Sequence, residues 1–380
     1  MIRTHTMPLK CLSPNGQEYA FRHTGESWTE LKAAKAAKNH LRMSCCGAQV
    51  VLKRSNRGTP FFAHARRGPC TTAPESAEHL LAKDIIARSA EALGWTAMTE
   101  ESGTSPSGKG WIADVLCRTP RLKSSIAFEV QWSSQNAEET EARQATYRES
   151  RVRGLWLMRQ PVIPISHLTP AFQLRVDSKE ETPIVRLPSS GYTEIMINRN
   201  TATEPRNWSQ SIPLDEFVRG ALTKRLKFAP ALNATVPIRV HAAEATCWKC
   251  SKQTTRLLHV EFAVDEVFPS HGNHRINRDD IETAAPQGET WLAKYLPNEL
   301  LASVGIGAIK RRYSRTVRSS YLSNGCVHCG ALQGAFIEHE IASEANPVLT
   351  SHAVIEPWVA NTVSGARFVN RWWFDRDQVA

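Results

Sequence analysis

The chain has no apolar run approaching the roughly 20 residues that a helix needs to span a bilayer. Its first residues, MIRTHTMPLKCL, lack the apolar core of a secretory signal. There is no internal repeat and no long low-complexity tract, which sets aside solenoids and disordered scaffolds. The nine cysteines are an odd number, and four of them fall in two C-x-x-C pairs. That pattern does not suit a disulfide framework. It suits thiolate–metal sites in a reducing compartment. A cytoplasmic protein with no membrane partner is the expectation, and nothing in the pattern speaks to oligomeric state.

What is present is a globular composition, 41% hydrophobic and 22% charged over 380 residues, enough for two or three domains. A formal charge of +10 and a pI near 9.3 favour a polyanionic partner, nucleic acid foremost. Composition shifts divide the chain into four segments. Residues 1–70 read as a small β-rich unit around one basic helix over 28–39, with Lys32, Lys35 and Lys38 along it. Residues 71–165 carry a regular pattern of helices and strands. Residues 166–240 are Pro-punctuated and read as a connecting region with one helix over 214–226. Residues 241–380 form a further unit opened by Cys247-Trp-Lys-Cys250.

In the second segment, SAEHLLAKDIIARSAEAL is rich in helix formers and is followed by Gly94. Strands are expected over 95–100, 111–118 and 125–133, then a helix over 137–151 and a strand over 154–159. A meander followed by a helical crossover predicts an α/β fold of the α+β kind, a mixed sheet flanked by helices.

The strand SIAFEVQWSSQ is the most informative. Ile126, Phe128, Val130 and Trp132 share one face; Ala127, Glu129, Gln131 and Ser133 share the other. Asp114 lies on the strand before. If the two strands are neighbours, the carboxylates of Asp114 and Glu129 meet, and such a pair needs a proton or a cation between them. A hard divalent cation, Mg²⁺ or Mn²⁺, is the natural occupant. It lowers the pKa of a bound water and stabilises charge on a phosphoryl oxygen. Gln131 can orient a water or phosphate but cannot act as a general base. Glu75, His79 and Lys83 fall at i, i+4, i+8, one stripe of the preceding helix, and Lys83 offers a cation near a scissile phosphate. Arg143 and Tyr147 are likewise i and i+4.

Taken in order, these residues carry a resemblance. Glu75-Ser76-x-x-His79-x-x-x-Lys83, Ala113-Asp114-Val115, Glu129-Val130-Gln131-x-Ser133, Arg143-x-x-x-Tyr147, Gly154 and Trp156 together resemble the competence protein CoiA-like family. The upstream FFAH ending at His64 is similar to an element of that family, so the resemblance covers about residues 43–160. It implies a restriction-endonuclease-like core of the PD-(D/E)XK type. In such a core Asp114, Glu129 and the Val130 carbonyl hold Mg²⁺ or Mn²⁺, and Glu75, His79, Lys83 and Gln131 complete the catalytic set. The superfamily's Lys two positions after the Glu is here Gln131, similar to the E-x-Q of the family itself. The resemblance implies a metal-dependent deoxyribonuclease linked to DNA uptake and recombination, and a repair or defence setting, with recombination or defence proteins as partners, is equally compatible with a nuclease. Arg143 and Tyr147 are then assigned to DNA. The competing class is a catalytically inert DNA-binding or adaptor protein with structural zinc.

Cys247, Cys250, Cys326 and Cys329 match a tetrahedral Cys₄ zinc site, closed and therefore structural. The pairs are much farther apart than the roughly 15–20 residues of a compact ribbon, so a zinc ribbon with a large insertion is expected. His328, inside the second pair, is not taken as a ligand. Cys45, Cys46, His64 and Cys70 are candidates for a second site, although adjacent cysteines seldom both bind one ion; the alternative is buried thiols and a core histidine. The run KRRYSRTVR places Lys310, Arg311, Arg312 and Arg315 around Tyr313, a pattern that suits phosphates with a ring to stack on an unpaired base.

Overall fold

The structure, a computed structural model of the chain, describes residues 8–34, 40–66, 75–119, 124–132, 137–160, 163, 165–176, 182–188, 208–269 and 271–376. Cys70, Ser133, Lys35 and Lys38 lie outside the described residues. Contacts divide the chain into two compact units, Met1–Lys227 with Trp372–Ala380, and Phe228–Arg371.

The first unit opens with two hairpins, β1 (Lys10–Ser13) with β2 (Gly16–Tyr19) and β3 (Val50–Arg54) with β4 (Pro60–His64). Between them lies α1 (Gly25–Ala33), which starts earlier than residue 28 because Thr24 and Ser27 form a capping box. Trp28, Met43, Leu52 and Phe62 are buried together as its core.

Next comes α2 (Ala77–Ala92), N-capped by the Ser76 side chain, which accepts from the His79 N–H at 3.2 Å. Gly94, at φ +76°, ends it in the left-handed conformation that glycine adopts without strain. β5 (Thr96–Thr104), β6 (Gly110–Thr119) and β7 (Ser124–Gln131) form an antiparallel meander. The crossover helix α3 (Ala137–Glu149) then returns the chain to β8 (Val152–Met158), parallel to β7.

The sheet does not end there. β9 (Ala171–Arg175), β10 (Ile184–Pro188) and β11 (Trp208–Pro213) extend it to seven strands in the order β11-β10-β9-β8-β7-β6-β5. Leu155, Trp156, Leu157 and Met158 of β8 are all buried, so β8 is an interior strand. The prolines of this stretch fall where a sheet tolerates them, Pro188 at a register shift and Pro213 at a strand end. The helix expected over 214–226 is α4 (Leu214–Leu222); it stops there, and Lys224 at φ +67° turns the chain into β12 (Leu226–Phe228).

The second unit is built on a four-stranded antiparallel sheet. Its strands are β13 (Thr235–Thr246), β14 (Gln253–Phe262), β15 (His274–Asn277) and, later in the chain, a strand over Asn346–Val354. The helices α5 (Arg278–Thr283), α6 (Gln287–Tyr295) and α7 (Asn298–Ala302) follow β15. The hairpin of β16 (Gly307–Ser314) and β17 (Ser319–Gly325) comes after them. Val240, Val260, Phe262 and Trp291 are at the centre of this core. Among the described residues no helix is long and apolar enough to cross a membrane.

Candidate functional site

β7 has no wet face. Phe128 and Val130 are buried on one side, and Ala127 and Glu129 are buried on the other. The β6–β7 register ends its paired run at Val115–Phe128, which puts Asp114 and Glu129 level on the next rung. The two strands are tied there, because the Val130 N–H donates to Asp114 Oδ2 at 2.8 Å. The N-terminal turns of α2 bring His79 to the same place, with Nε2 3.4 Å from Asp114 Oδ2. Burial alone would push the His79 imidazolium down, but Asp114 and Glu75 hold its pKa above the ordinary value.

Lys83 lies one turn further along α2 and is fully buried. Its ammonium donates to both Glu75 oxygens, at 3.1 and 2.9 Å, and to Glu100 Oε1. Burial favours a neutral amine here, yet Glu100, Glu75 and Asp114 together keep its pKa above that of a free lysine. Lys83 therefore does not extend toward a phosphate, as its helix stripe suggested. It is the counter-ion of a carboxylate cluster.

Glu100 was not anticipated. It falls between the paired Thr99–Val115 and Glu101–Ala113, hence across from Asp114, at a backbone φ of +48°. Its Oε2 is buried without a hydrogen-bond partner. Glu100, Asp114 and Glu129 thus form one row across three strands. The only hint in sequence is the Glu100-Glu101 pair, which reads as an ordinary charged strand end.

Glu129 is closed from the other side by α3. Tyr147 donates to Glu129 Oε1, and Arg143 pairs with Oε2. Burial pushes the Glu129 carboxyl up to about 7, with Asp114 adding to the rise against the pull of Arg143 and Tyr147. Tyr147 is fully buried and also reaches the Ile112 carbonyl at 3.1 Å. Its assignment to DNA is thus corrected: its hydroxyl is spent inside the fold, where it orients Glu129. Arg143 stacks over the Trp156 ring at 4.8 Å. Trp156 Nε1 donates to Gln144 Oε1 at 2.9 Å, and a Cβ on Gly154 would come within 2.1 Å of that oxygen. Gly154, Trp156 and the unanticipated Gln144 thus set the pose of α3 against β8. Gln131 ends β7, and its carbonyl accepts from the Arg159 N–H at 3.0 Å.

In the second unit, the Cys247–Cys250 pair turns β13 into β14, and the Cys326–Cys329 pair follows β17. The four sulfurs lie within 4.8 Å of one another. Cys247 Sγ is 3.7 Å from Cys329 Sγ, and Cys250 Sγ is 3.7 Å from Cys326 Sγ. A tetrahedron with metal–sulfur bonds of about 2.3 Å has edges of about 3.8 Å, so the cluster can hold a structural metal such as zinc. The two turns match. Cys247 N–H donates to the Lys252 carbonyl and Ser251 N–H to the Cys247 carbonyl; Cys326 N–H donates to Ala331 and Gly330 N–H to Cys326. Gly330 at φ +70° and Ser251 at φ +57° do the same job, the serine at a steric cost. Burial works against the Cys247 thiolate, but surrounding N–H groups bring its pKa down to about 6. Gln333 Nε2 donates to Cys247 Sγ at 3.4 Å, and the fully buried Arg256 donates to Gln333 Oε1 at 3.0 Å. His328 is no ligand; its Nε2 bonds the Gln253 carbonyl at 2.8 Å.

Among the described residues, one further group brings three soft or hard ligands within 4.8 Å, namely Cys45, Cys46 and His64. The basic hairpin divides by role. Arg312 donates to the Ser323 and Ala308 carbonyls at 2.7 and 2.8 Å, and Arg311 pairs with Glu282 and Glu289 at 3.0 and 2.9 Å. Those two hold the hairpin in place, whereas Lys310, Tyr313 and Arg315 are exposed. Comparison of the chain with family models, with curated proteins and with solved structures found no match.

Proposed function

We propose that the first unit is a metal-dependent deoxyribonuclease with a PD-(D/E)XK-type, CoiA-like core, and that the second unit is held by a structural Zn²⁺ on its four cysteines. The observation that carries the reading is the row of Glu100, Asp114 and Glu129, locked by the bond from Val130 N–H to Asp114 Oδ2. It sits in an α–β–β–β–α–β order of elements.

The donor types suit a hard divalent cation, although among the described residues the three carboxylates are not gathered within 4.8 Å of one another as the cysteine groups are. Two carboxylates, a main-chain carbonyl and waters suit Mg²⁺ or Mn²⁺, and Glu100 Oε2 is a buried acceptor with no hydrogen bond, while its Oε1 is paired with Lys83. Asp114, Glu129 and the Val130 carbonyl would hold the ion, which supplies a lowered pKa for its water and charge stabilisation at a phosphoryl oxygen. The chain's own residues do the rest. Lys83 offsets the charge of Glu75 and Glu100, so that the row can be assembled in a buried place. Tyr147 and Arg143 fix the Glu129 carboxylate in one orientation. His79, whose pKa Asp114 and Glu75 raise against burial, stands beside Asp114, where its imidazole can donate to a phosphoryl or leaving-group oxygen. Gln131 orients without taking a proton. Exposed Lys310, Arg315 and Tyr313 supply a second, sequence-independent contact to DNA.

The test is incubation of the full chain with labelled single- and double-stranded DNA, and with RNA, in Mg²⁺, Mn²⁺ or EDTA. Cleavage that disappears in EDTA and in Asp114→Ala and Glu129→Ala is expected. DNA binding without cleavage in every metal, unchanged by both substitutions, would reject the enzyme in favour of an inert DNA-binding or adaptor protein. That second reading has one observation in its favour, since both oxygens of Glu129 already have protein partners.

A further inference from the structure

The turn over residues 43–48 repeats the backbone of the two cysteine turns in the second unit. Met43 N–H donates to the Ala48 carbonyl at 2.8 Å, and Gly47 N–H donates to the Met43 carbonyl at 2.9 Å. The same two bonds, from the first residue to the sixth and from the fifth to the first, occur at Cys247–Lys252 and Cys326–Ala331, each at 2.9 Å. The fifth residue has positive φ in all three turns: Gly47 +71°, Ser251 +57° and Gly330 +70°. By position, Cys46 matches Cys250 and Cys329. Met43 stands where the first cysteine would be, and it is fully buried in the core of the N-terminal hairpins. The thiol missing at that position is present two residues later, as Cys45.

We propose that Cys45, Cys46 and His64 form a second zinc site, independent of the carboxylate row, with two thiolates and one imidazole on a turn already shaped for metal. Cys45 Sγ and Cys46 Sγ lie 3.4 and 3.2 Å from His64 Nε2. Bonds of about 2.3 Å to sulfur and about 2.0 Å to nitrogen at a tetrahedral angle require an edge of about 3.5 Å. His64 is brought there by the β3–β4 register, in which it is paired with Val50, just past the turn. Adjacent cysteines ordinarily point apart along an extended chain. Here the turn conformation aims both at one imidazole. Hydrophobic burial does not explain the convergence, because both cysteines are exposed. Zn²⁺ suits the mixture of soft sulfur and borderline nitrogen donors better than Mg²⁺ or Mn²⁺ does. The ion would clamp the 43–48 turn to the end of β4, in a part of the chain whose apolar core is small.

The full chain, purified under reducing conditions, should carry two zinc ions by elemental analysis, and His64→Ala and Cys46→Ser one each. Co²⁺ in place of zinc should show thiolate charge transfer from six sulfurs, four plus two, falling to four in His64→Ala. A measurement on the unmutated chain guards against misfolded variants: alkylation of Cys45 and Cys46, mapped by mass spectrometry, should be slow with zinc and fast once it is chelated. One zinc per unmutated chain, two zincs retained in His64→Ala, or alkylation that ignores the metal would each overturn the site.

Discussion

Replacing Glu129 by Gln isolates the electrostatic cost of the proposed metal row. The Glu129 carboxyl is 2% exposed and is pushed from 4.5 to about 7, by burial first and by Asp114 in addition. A carboxyl whose pKa rises on folding binds its proton more tightly in the folded state. Its contribution to stability is therefore fully present below about pH 4.5 and is lost as the pH rises through 7. The shift corresponds to about 3 kcal/mol at about 1.4 kcal/mol per unit. Gln keeps the shape and one oxygen to accept from Arg143, while its NH₂ can donate to the Tyr147 oxygen as that hydroxyl turns to the Ile112 carbonyl, but it cannot ionise. The stability of Glu129→Gln relative to the unmutated chain should therefore grow by about 3 kcal/mol between pH 4.5 and 8 without divalent cation. The assay is a urea titration at several pH values, read by a short hydrogen-exchange pulse over the β7 and α3 peptides, so that the first unit is scored alone. Mg²⁺ or Mn²⁺ at ten times its Kd should return about 1.4 kcal/mol to the unmutated chain at pH 8 and nothing to the variant. Stability curves that stay parallel across the pH range, within about 0.5 kcal/mol, would refute the argument from burial.

Lys83→Met should destabilise the first unit by about 3–5 kcal/mol in urea titration, because it leaves the Glu75 and Glu100 carboxylates buried without the positive charge of Lys83; adding Glu75→Gln and Glu100→Gln should recover most of the loss, and no recovery would contradict the counter-ion role. Gly154→Ala should cost about 1–3 kcal/mol by the same titration, since the new methyl meets Gln144 Oε1 and forces it off Trp156 Nε1. Arg256→Met should weaken zinc retention in the Cys₄ cluster about 10–100-fold in competition with a chelator, because it frees Gln333 and removes a buried positive charge beside thiolates; unchanged retention would make Arg256 a packing residue only.

Much of the site was readable in one dimension wherever the signal is local. Ser76 and Gly94 bracket α2 because a side-chain cap and a left-handed glycine are decided within a few residues. The alternation in β7 and the spacing of the two C-x-x-C pairs are likewise short-range. The roles within the stripe of α2 were less accessible. Glu75, His79 and Lys83 share a helix face, but whether Lys83 meets a phosphate or a carboxylate depends on Glu100, which arrives from another strand with its own register. Tyr147 follows the same logic: an i, i+4 pair looks like surface until the sheet buries it against Glu129.

By itself, then, the sequence determined the order of helices and strands through residue 159, the presence of a carboxylate on each of two consecutive strands, and a candidate four-cysteine cluster. These follow from periodicity, capping and ligand spacing, which act over short stretches of chain. Only the tertiary structure decided that β9 to β11 extend the same sheet, that Glu100 completes the acidic row, and that Cys45, Cys46 and His64 converge. Each of those depends on strand register or on turn handedness bringing distant residues together, and neither is expressed in the identity of any one residue.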